Sequence, residues 1–524
     1  MPNKKIKPAL LLILDGFGIA SPSQGNAVSL AKKPVYDKLV RNFPTFTLQA
    51  SGESVGLGWG EPGNSEVGHL NLGAGQIVWQ KLPRINRAIR RGEFQKNKEF
   101  LKAIKHVKEN DSSLHLMGLC SNGGIHSSVL HLYTLLEMAK KNDLKKVYIH
   151  VFLDGRDTAF NAGLKQIKEI IDKCQSLGLG EIATISGRSF AMDRDKNWGK
   201  IETTYLAMVK GISENEFEDP IKAVKSSYEK KIYDEEFVPT VITKKAKPKA
   251  KVSDKDGLIF FNFRGDRAKE ITKSFIKKDF KGFPRKKVSN LFFVAMNEYE
   301  KGLPDKVAFP SVRVNNPIAK VISDKGLKQA HIAESEKYAH VTYFFNGGRE
   351  APFPLERRIV IPSPKVSSYA KKPKMSAEEL LHQTLWAIDS NDYTFIVLNF
   401  ANPDMVAHTG DLQATVKAIE YLDYALGEIA KMTLEKDWHF LITADHGNAE
   451  VLVDPITGEI DKKHNKSPVP FIIVNNDFKK AIPLDKMPEL YNITPSGVLA
   501  DVAPTILNLM NIKVPLEMVG ASLI

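Results

Sequence analysis

One set of residues in this chain is acidic and rich in imidazole: Asp15 in LLILDGFG, Asp404 and His408 in NPDMVAHTGD, Asp445 and His446 in TADHGN, and His464 in KKHNKSP. Asp404 and His408 stand four positions apart, so one helical turn would carry both on the same side. Carboxylates mixed with imidazoles suit a divalent ion such as manganese or zinc, and there are enough of them here for two ions. Taken singly, each piece also reads as a capped helix start or a turn. Most of them, however, end an apolar run in the same manner.

Ser65 sits in EPGNSEVGHLNLGAG (61 to 75) between Gly63 and Gly68, which would let backbone approach a ligand closely. No Gly-x-Ser-x-Gly elbow surrounds it, so a histidine-based triad has no support. Ser65 is a candidate nucleophile, and its neighbours in sequence do not name what would activate it.

A second set is basic and lies between the two halves of the first: His126 in GGIHS, Arg156 and Asp157 in DGRDT, Arg188 and Arg194 in SGRSFAMDRD, and Arg264 and Arg267 in FNFRGDRA. Guanidinium forks match phosphate and carboxylate oxygens bidentately, which points to a small molecule carrying both groups. Ion pairing with Asp154, Asp193, Asp195 and Asp266 is the plainer alternative.

These residues need elements to hold them. Short apolar runs recur along the chain: ALLLILDG, LHLMGLCSNGGIH, VYIHVFLDGRD, IATISGRSFAMDRD, GLIFFNFRGDR, NLFFVAMNEY, FIVLNFANPD, HFLITADHGN and PFIIVN. Segments with helical periodicity lie between them, such as 162 to 177, 376 to 388 and 414 to 432. Continuous apolar strands alternating with amphipathic helices predict an α/β fold with largely parallel sheets covered on both faces. Ligands in such sheets bind beyond the carboxyl ends of the strands, where these Asp, His and Arg residues fall. If Asp15 and Ser65 are to meet Asp445 and His446, the middle of the chain must form an inserted domain. It would leave near 75 to 92 and return near 308 to 319.

Composition narrows the class. A chain of 524 residues exceeds one hydrophobic core, so two or three domains are expected. The surplus of +13 charges is compatible with nucleic acid, a membrane surface or a small anion, and does not choose among them. Only Cys120 and Cys174 are present, with no CxxC, so neither a disulfide framework nor a zinc finger is suggested. The opening MPNKKIKPALLLILDGFG imitates a signal peptide, but its short apolar run ends at Asp15 and reads better as a buried strand. No run approaches the ~18 apolar residues of a membrane span, and a cytoplasmic location is expected. The lysine run 244 to 251 is expected as an exposed hairpin or loop, since no interleaved aromatics support a nucleic-acid patch.

Together the stretches LLILDGFG, EPGNSEVGHLNLGAG, SNGGIHS, DGRDT, AMDRD, NFRGDRA, ESEKYAHVTYFFNGG, NPDMVAHTGD and TADHGNAE resemble the cofactor-independent phosphoglycerate mutases of the alkaline phosphatase superfamily. The resemblance runs from residue 8 to past residue 500. It implies one manganese ion on Asp404, His408 and His464 and a second on Asp15, Ser65, Asp445 and His446, with zinc, cobalt or magnesium as other candidates. It implies substrate contacts at His126, Arg156, Asp157, Arg188, Arg194, Arg264, Arg267 and Lys337, the last in SEKYAHVT. Domains are implied at 1–79 with 313–524, a phosphatase-like metal-binding domain, and at 80–312, an inserted phosphotransferase domain.

The implied activity is interconversion of 3-phosphoglycerate and 2-phosphoglycerate through a phosphoserine on Ser65. Lys337 would act on the phosphoryl oxygens, and His126 and Asp157 would move protons. No 2,3-bisphosphoglycerate, nucleic acid or membrane is involved, and a monomer is implied. His69 receives no catalytic role. A metal-dependent phosphomonoesterase or a phosphopentomutase would share the ligand set but should lack the combination of basic motifs.

Overall fold

Ala9–Leu14 is a run of apolar residues that are buried without exception, as only a strand covered on both faces requires. The computed structural model describes residues 6–304, 306–454, 456–479 and 489–524. In chain order its strands are β1 (Ala9–Leu14), β2 (Thr45–Gln49), β3 (Leu114–Leu119), β4 (Val147–Leu153), β5 (Glu181–Gly187), β6 (Asn215–Phe217), β7 (Thr240–Lys244) and β8 (Lys247–Pro248). There follow β9 (Gly257–Phe260), β10 (Phe292–Ala295), β11 (Gln329–Glu334), β12 (Glu356–Ile361), β13 (Phe395–Phe400), β14 (His439–Thr443), β15 (Val469–Val474) and β16 (Gly497–Val498). The chain divides into two units, Met1–Gln80 with Val312–Ile524, and Lys81–Ser311.

The first unit holds a sheet in the order β12-β11-β13-β1-β14-β15-β2-β16. β1 lies near its middle and pairs in parallel with β13 and β14, Leu12 standing opposite Leu398 and Ile442. Only β15, the PFIIVN run, is reversed relative to its neighbours. The reason is the loop before it: residues 444 to 468 carry Asp445, His446 and His464 and stay at the carboxyl end of the sheet. The next strand must therefore start from that end. Helices Ala377–Asp389 and Leu412–Glu435 correspond to two of the three periodic segments seen in the sequence, and the second is capped by Asp411, which accepts from Ala414 N.

The second unit has its own sheet, β10-β9-β3-β4-β5-β7-β6, with β8 paired to β7. β10, β9, β3, β4 and β5 run parallel, and β7 is antiparallel to β5. The lysine run forms a hairpin between β7 and β8. Its two turn residues, Lys245 and Ala246, have φ of 53° and 56°, the left-handed values that a two-residue turn of this hand demands.

Leu12 is fully buried at the centre of the first sheet. Leu12→Ala is expected to cost about 2–5 kcal/mol, as large-to-small changes at such positions do. Urea unfolding of the two proteins measures this, and a loss below ~1 kcal/mol would mean that the site collapses around the gap.

Candidate active site

Ser65 is the first residue of the helix Ser65–Ala74. Asn64 before it is extended, and its side chain accepts from Val67 N, so the helix starts cleanly with the serine in its first turn. Unpaired N–H groups at such a terminus favour a negatively charged ligand. The flanking glycines meet protein here rather than a ligand. A Cβ on Gly63 would stand 2.2 Å from the Ala50 carbonyl oxygen, and one on Gly68 would stand 2.6 Å from that of Asp445. Their absence of side chain lets the serine helix lie directly against the loop that bears Asp445 and His446.

The Ser65 hydroxyl lies 3.2 Å from Asp15 Oδ1 and 2.9 Å from His446 Nε2, and it accepts from Lys337 Nζ at 2.8 Å. Strand ends supply these partners: Asp15 follows β1, Lys337 follows β11, Asp404 follows β13, and Asp445 and His446 follow β14. Asn64, Ser65, Glu336, Lys337, His340, Asp404, His408 and His464 line one cleft of about 530 Å³.

Two groups of ligand-type atoms lie here, one on the cleft wall and one buried behind it. Asp404 Oδ1 is 3.2 Å from His408 Nε2 and 3.3 Å from His464 Nε2, and the two ring nitrogens are 3.0 Å apart. In the other group His446 Nε2 is 3.6 Å from both Asp15 Oδ1 and Asp445 Oδ2. His446 also stacks on His464 with ring centres 3.9 Å apart, and its ring nitrogen converges with Asp404 and His464. All seven metal-type residues read from the sequence thus meet in the first unit.

Three carboxylates, Asp15, Asp404 and Asp445, are buried here with Lys337 as their fixed cation. The Lys337 ammonium donates to Asp15 Oδ1 at 2.7 Å and to Asp404 Oδ2 at 2.6 Å. Burial disfavours that charge, but the attraction of Asp15, Asp404 and Asp445 outweighs it and raises the lysine pKa. Burial and the neighbouring Asp445 raise Asp15. Burial would also raise Asp404, yet Lys337 and hydrogen bonds from His408 and His464 hold it well below the usual carboxylate range. One ammonium against three buried carboxylates leaves the pocket short of positive charge, and among the described residues Asp445 Oδ2 has no hydrogen-bond donor aimed at it, His69 Nδ1 at 3.1 Å being turned to the Ser65 carbonyl. Oxygen and imidazole donors in that state fit divalent ions.

Asn399 and Asn448 escaped the sequence reading, and His69 was read there without a catalytic role. Asn399, inside β13, donates to Asp15 Oδ2 at 2.8 Å and contacts His69 Nε2 at 3.0 Å. His69 in turn lies 3.1 Å from Asp445 Oδ2. Asn448 donates to Asp404 Oδ1 at 2.8 Å. Buried Asn399 within an apolar run was the available signal, since a polar residue there needs a partner.

In the second unit the basic residues gather beyond β3, β4, β5 and β9. Arg188, only 2% exposed, donates from Nη1 to Asp154 Oδ1 at 2.5 Å and to Asp157 Oδ2 at 2.7 Å. His126 Nε2 is 3.8 Å from Asp157 Oδ2, and its Nδ1 is 3.6 Å from Asp266 Oδ1. Arg264 and Arg194 lie 3.1 and 3.4 Å from Asp266, Arg156 lies 3.5 Å from Glu235, and Arg267 donates to the Met192 carbonyl at 3.3 Å. The plainer reading therefore holds in part, because aspartates do pair with Arg188, Arg194 and Arg264. Even so, the cations crowd one another. Burial and then the charges of Arg194, Arg188 and Arg156 lower the Arg267 pKa, and burial followed by Arg188 lowers His126 to about 4. His126 is neutral at neutral pH.

Comparison with known proteins now decides the family. The family model "BPG-independent PGAM N-terminus" matches residues 85–301. The 2,3-bisphosphoglycerate-independent phosphoglycerate mutase of Clostridium perfringens is 49% identical over 519 residues, covering 99% of each chain. The corresponding protein of Clostridium acetobutylicum is 50% identical over 520 residues, again with 99% of each covered. The chain belongs to the 2,3-bisphosphoglycerate-independent phosphoglycerate mutase family. A phosphoglycerate mutase of Leishmania mexicana, solved at low cobalt concentration, aligns with a TM-score of 0.55 at 29% identity over 99% of this chain and 98% of that one. No helix among the described residues is long and apolar enough to cross a membrane.

Within this family member, Glu334 ends β11 just before Lys337. It is fully buried, its Oε1 accepts from Ser376 N at 3.1 Å, and its Oε2 has no hydrogen-bond partner among the described residues. Burial raises its pKa to about 7. Because the folded value lies above the unfolded one, the folded protein binds more protons between them, and stability falls as pH rises from about 4.5 through 7. Glu334→Gln keeps the acceptor and removes the titration. Its melting temperature is expected to decline less than that of the wild type between pH 5 and 8. Parallel melting curves across that range would show that the carboxyl does not carry this linkage.

Proposed function

We propose that the chain interconverts 3-phosphoglycerate and 2-phosphoglycerate through a phosphoserine on Ser65, without 2,3-bisphosphoglycerate. The observation that carries this is the Ser65 hydroxyl at a helix N-terminus, within hydrogen-bond reach of Lys337, His446 and Asp15. Asp404, His408 and His464 are proposed to hold one divalent ion, and Asp15, Ser65, Asp445 and His446 the other, manganese being the first candidate. When bound, the ions supply positive charge that lowers the serine pKa and offsets charge on phosphoryl oxygens.

In the first step the Ser65 Oγ–P bond forms as the bond from phosphorus to O3 of glycerate breaks. The Lys337 ammonium, held beside Oγ, stabilises charge on the transferring group. In the second step the 2-hydroxyl of glycerate attacks the phosphoserine, and Ser65 is released. His126, kept neutral, and Asp157 carry the proton between the two glycerate hydroxyls. The arginines hold the glycerate carboxylate and phosphoryl oxygens, and water is kept away from the phosphoserine while glycerate turns. The reading is of a cytoplasmic, monomeric enzyme.

Incubation with 3-phosphoglycerate alone, following 2-phosphoglycerate and free phosphate together, tests the reading. Transfer with little phosphate release supports a mutase. Phosphate without isomerisation would make the protein a phosphatase. Ser65→Ala is expected to lower turnover roughly 1,000-fold or more with an unchanged circular dichroism spectrum, since the residue acts in the chemistry. Substantial mutase activity in that variant would remove the phosphoserine from the mechanism.

Chelation should abolish turnover, and manganese should restore it. Protons compete with metal for the imidazoles, so activity is expected to fall below roughly pH 6.5, with excess manganese moving the fall to lower pH. A pH profile indifferent to manganese concentration would contradict this assignment.

A further inference from the structure

Asp154 belongs to none of the groups assigned above, yet it is the most heavily bonded carboxylate of the second unit's site. It follows β4 directly and is 3% exposed. Its Oδ1 accepts from Arg156 N at 3.2 Å, from Asp157 N at 3.0 Å and from Arg188 Nη1 at 2.5 Å. Its Oδ2 accepts from the Ser121 hydroxyl at 2.5 Å. Ser121 Oγ in turn accepts from Gly123 N at 3.0 Å, at the start of the loop that carries His126. That loop rests on the next one: a Cβ on Gly123 would stand 2.7 Å from the Asp157 carbonyl oxygen.

β3, β4 and β5 are neighbours in the sheet, and each ends in one of these loops. The loop after β3 bears His126, the loop after β4 bears Arg156 and Asp157, and Arg188 follows β5. One carboxylate therefore ties three strand ends together. Burial would favour its neutral form, but the Ser121 hydroxyl, the Asp157 amide and Arg188 pull its pKa below the usual value, so it stays charged. It also opposes the charge of Arg188, which shares the same Nη1 with Asp157.

We propose that Asp154 is a positioning residue for glycerate retention: it fixes His126, Asp157 and Arg188 relative to one another so that glycerate stays bound between the two transfers. This rests on the phosphoserine reading given above. A merely structural residue would lower all products together, through the amount of folded enzyme. A residue that holds the glycerate-binding groups in place changes the partition between transfer and hydrolysis.

The test gives wild-type protein and Asp154→Asn manganese and 3-phosphoglycerate, then measures phosphoserine at Ser65 by mass spectrometry together with 2-phosphoglycerate and free phosphate. Asparagine keeps an acceptor for the backbone amides but turns a donor toward Ser121 and removes the charge opposite Arg188. Phosphoserine is expected to form in the variant. Phosphate released per 2-phosphoglycerate formed should rise roughly 10- to 100-fold, the cost of displacing positioned groups by about 1 Å, and KM should rise with it. Ser121→Ala, which retains the charge, should move the same ratio by less. A wild-type ratio in Asp154→Asn would overturn the proposal, as would loss of phosphoserine in that variant alone. Absence of phosphoserine in the wild type would instead sink the reading of Ser65 on which the proposal depends.

Discussion

The structure of the first unit turns on three buried carboxylates placed close together. Asp15, Asp404 and Asp445 repel one another, and in a buried setting that repulsion is only weakly screened. Lys337 hydrogen-bonds two of them and the serine hydroxyl at once. The surrounding polar groups then have clear tasks. Asn399 and Asn448 donate to Asp15 and Asp404, and Gly16 N and His446 N donate to Asp445 Oδ1. Each such bond stabilises the ionised form of its acceptor and fixes where its remaining oxygen points.

The second unit solves the opposite problem, an excess of guanidinium groups. There the carboxylates are the counterweights: Asp154 and Asp157 against Arg188, and Asp266 against Arg194 and Arg264. A pairing of this kind need not compete with a ligand. Arg156, Arg194 and Arg264 remain about half exposed, so their donors are not all consumed by the pairing. Only Arg188 is enclosed, which suits a group that orders its neighbours.

Much of this was legible because chemistry and secondary structure coincide in the sequence. ALLLILD, FIVLNFANPD and HFLITADH each show a buried strand followed at once by its functional residues, and each strand was found in place. β11 and β12 were harder to see. QAHIAE buries Gln329, His331 and Glu334, and ERRIVI carries charged residues on an outer strand, so neither shows an apolar run. The type of turn at Lys245 and Ala246 was also hidden, since neither residue favours a left-handed conformation. The metal-type residues could be named from residue type and order. That His446 would face both groups of metal-type residues, and that His69 would approach Asp445, depends on side-chain directions that spacing does not encode.

The reversed strand β15 has a consequence for how the chain can vary. β14 and β15 are hydrogen-bonded neighbours, and beyond them Gly447 and Asn465 form a further bridge. The segment between is thus closed at its base like a drawstring, with Asp445, His446 and His464 all seated at or near the knot. Farther out, Val453 pairs with Ile460, and Ile456 is 92% exposed. Residues added or deleted at that tip would lengthen or shorten a loop whose ends are already fixed, at small entropic cost. The outer part is free to drift in length while Asp445, His446 and His464 keep their places.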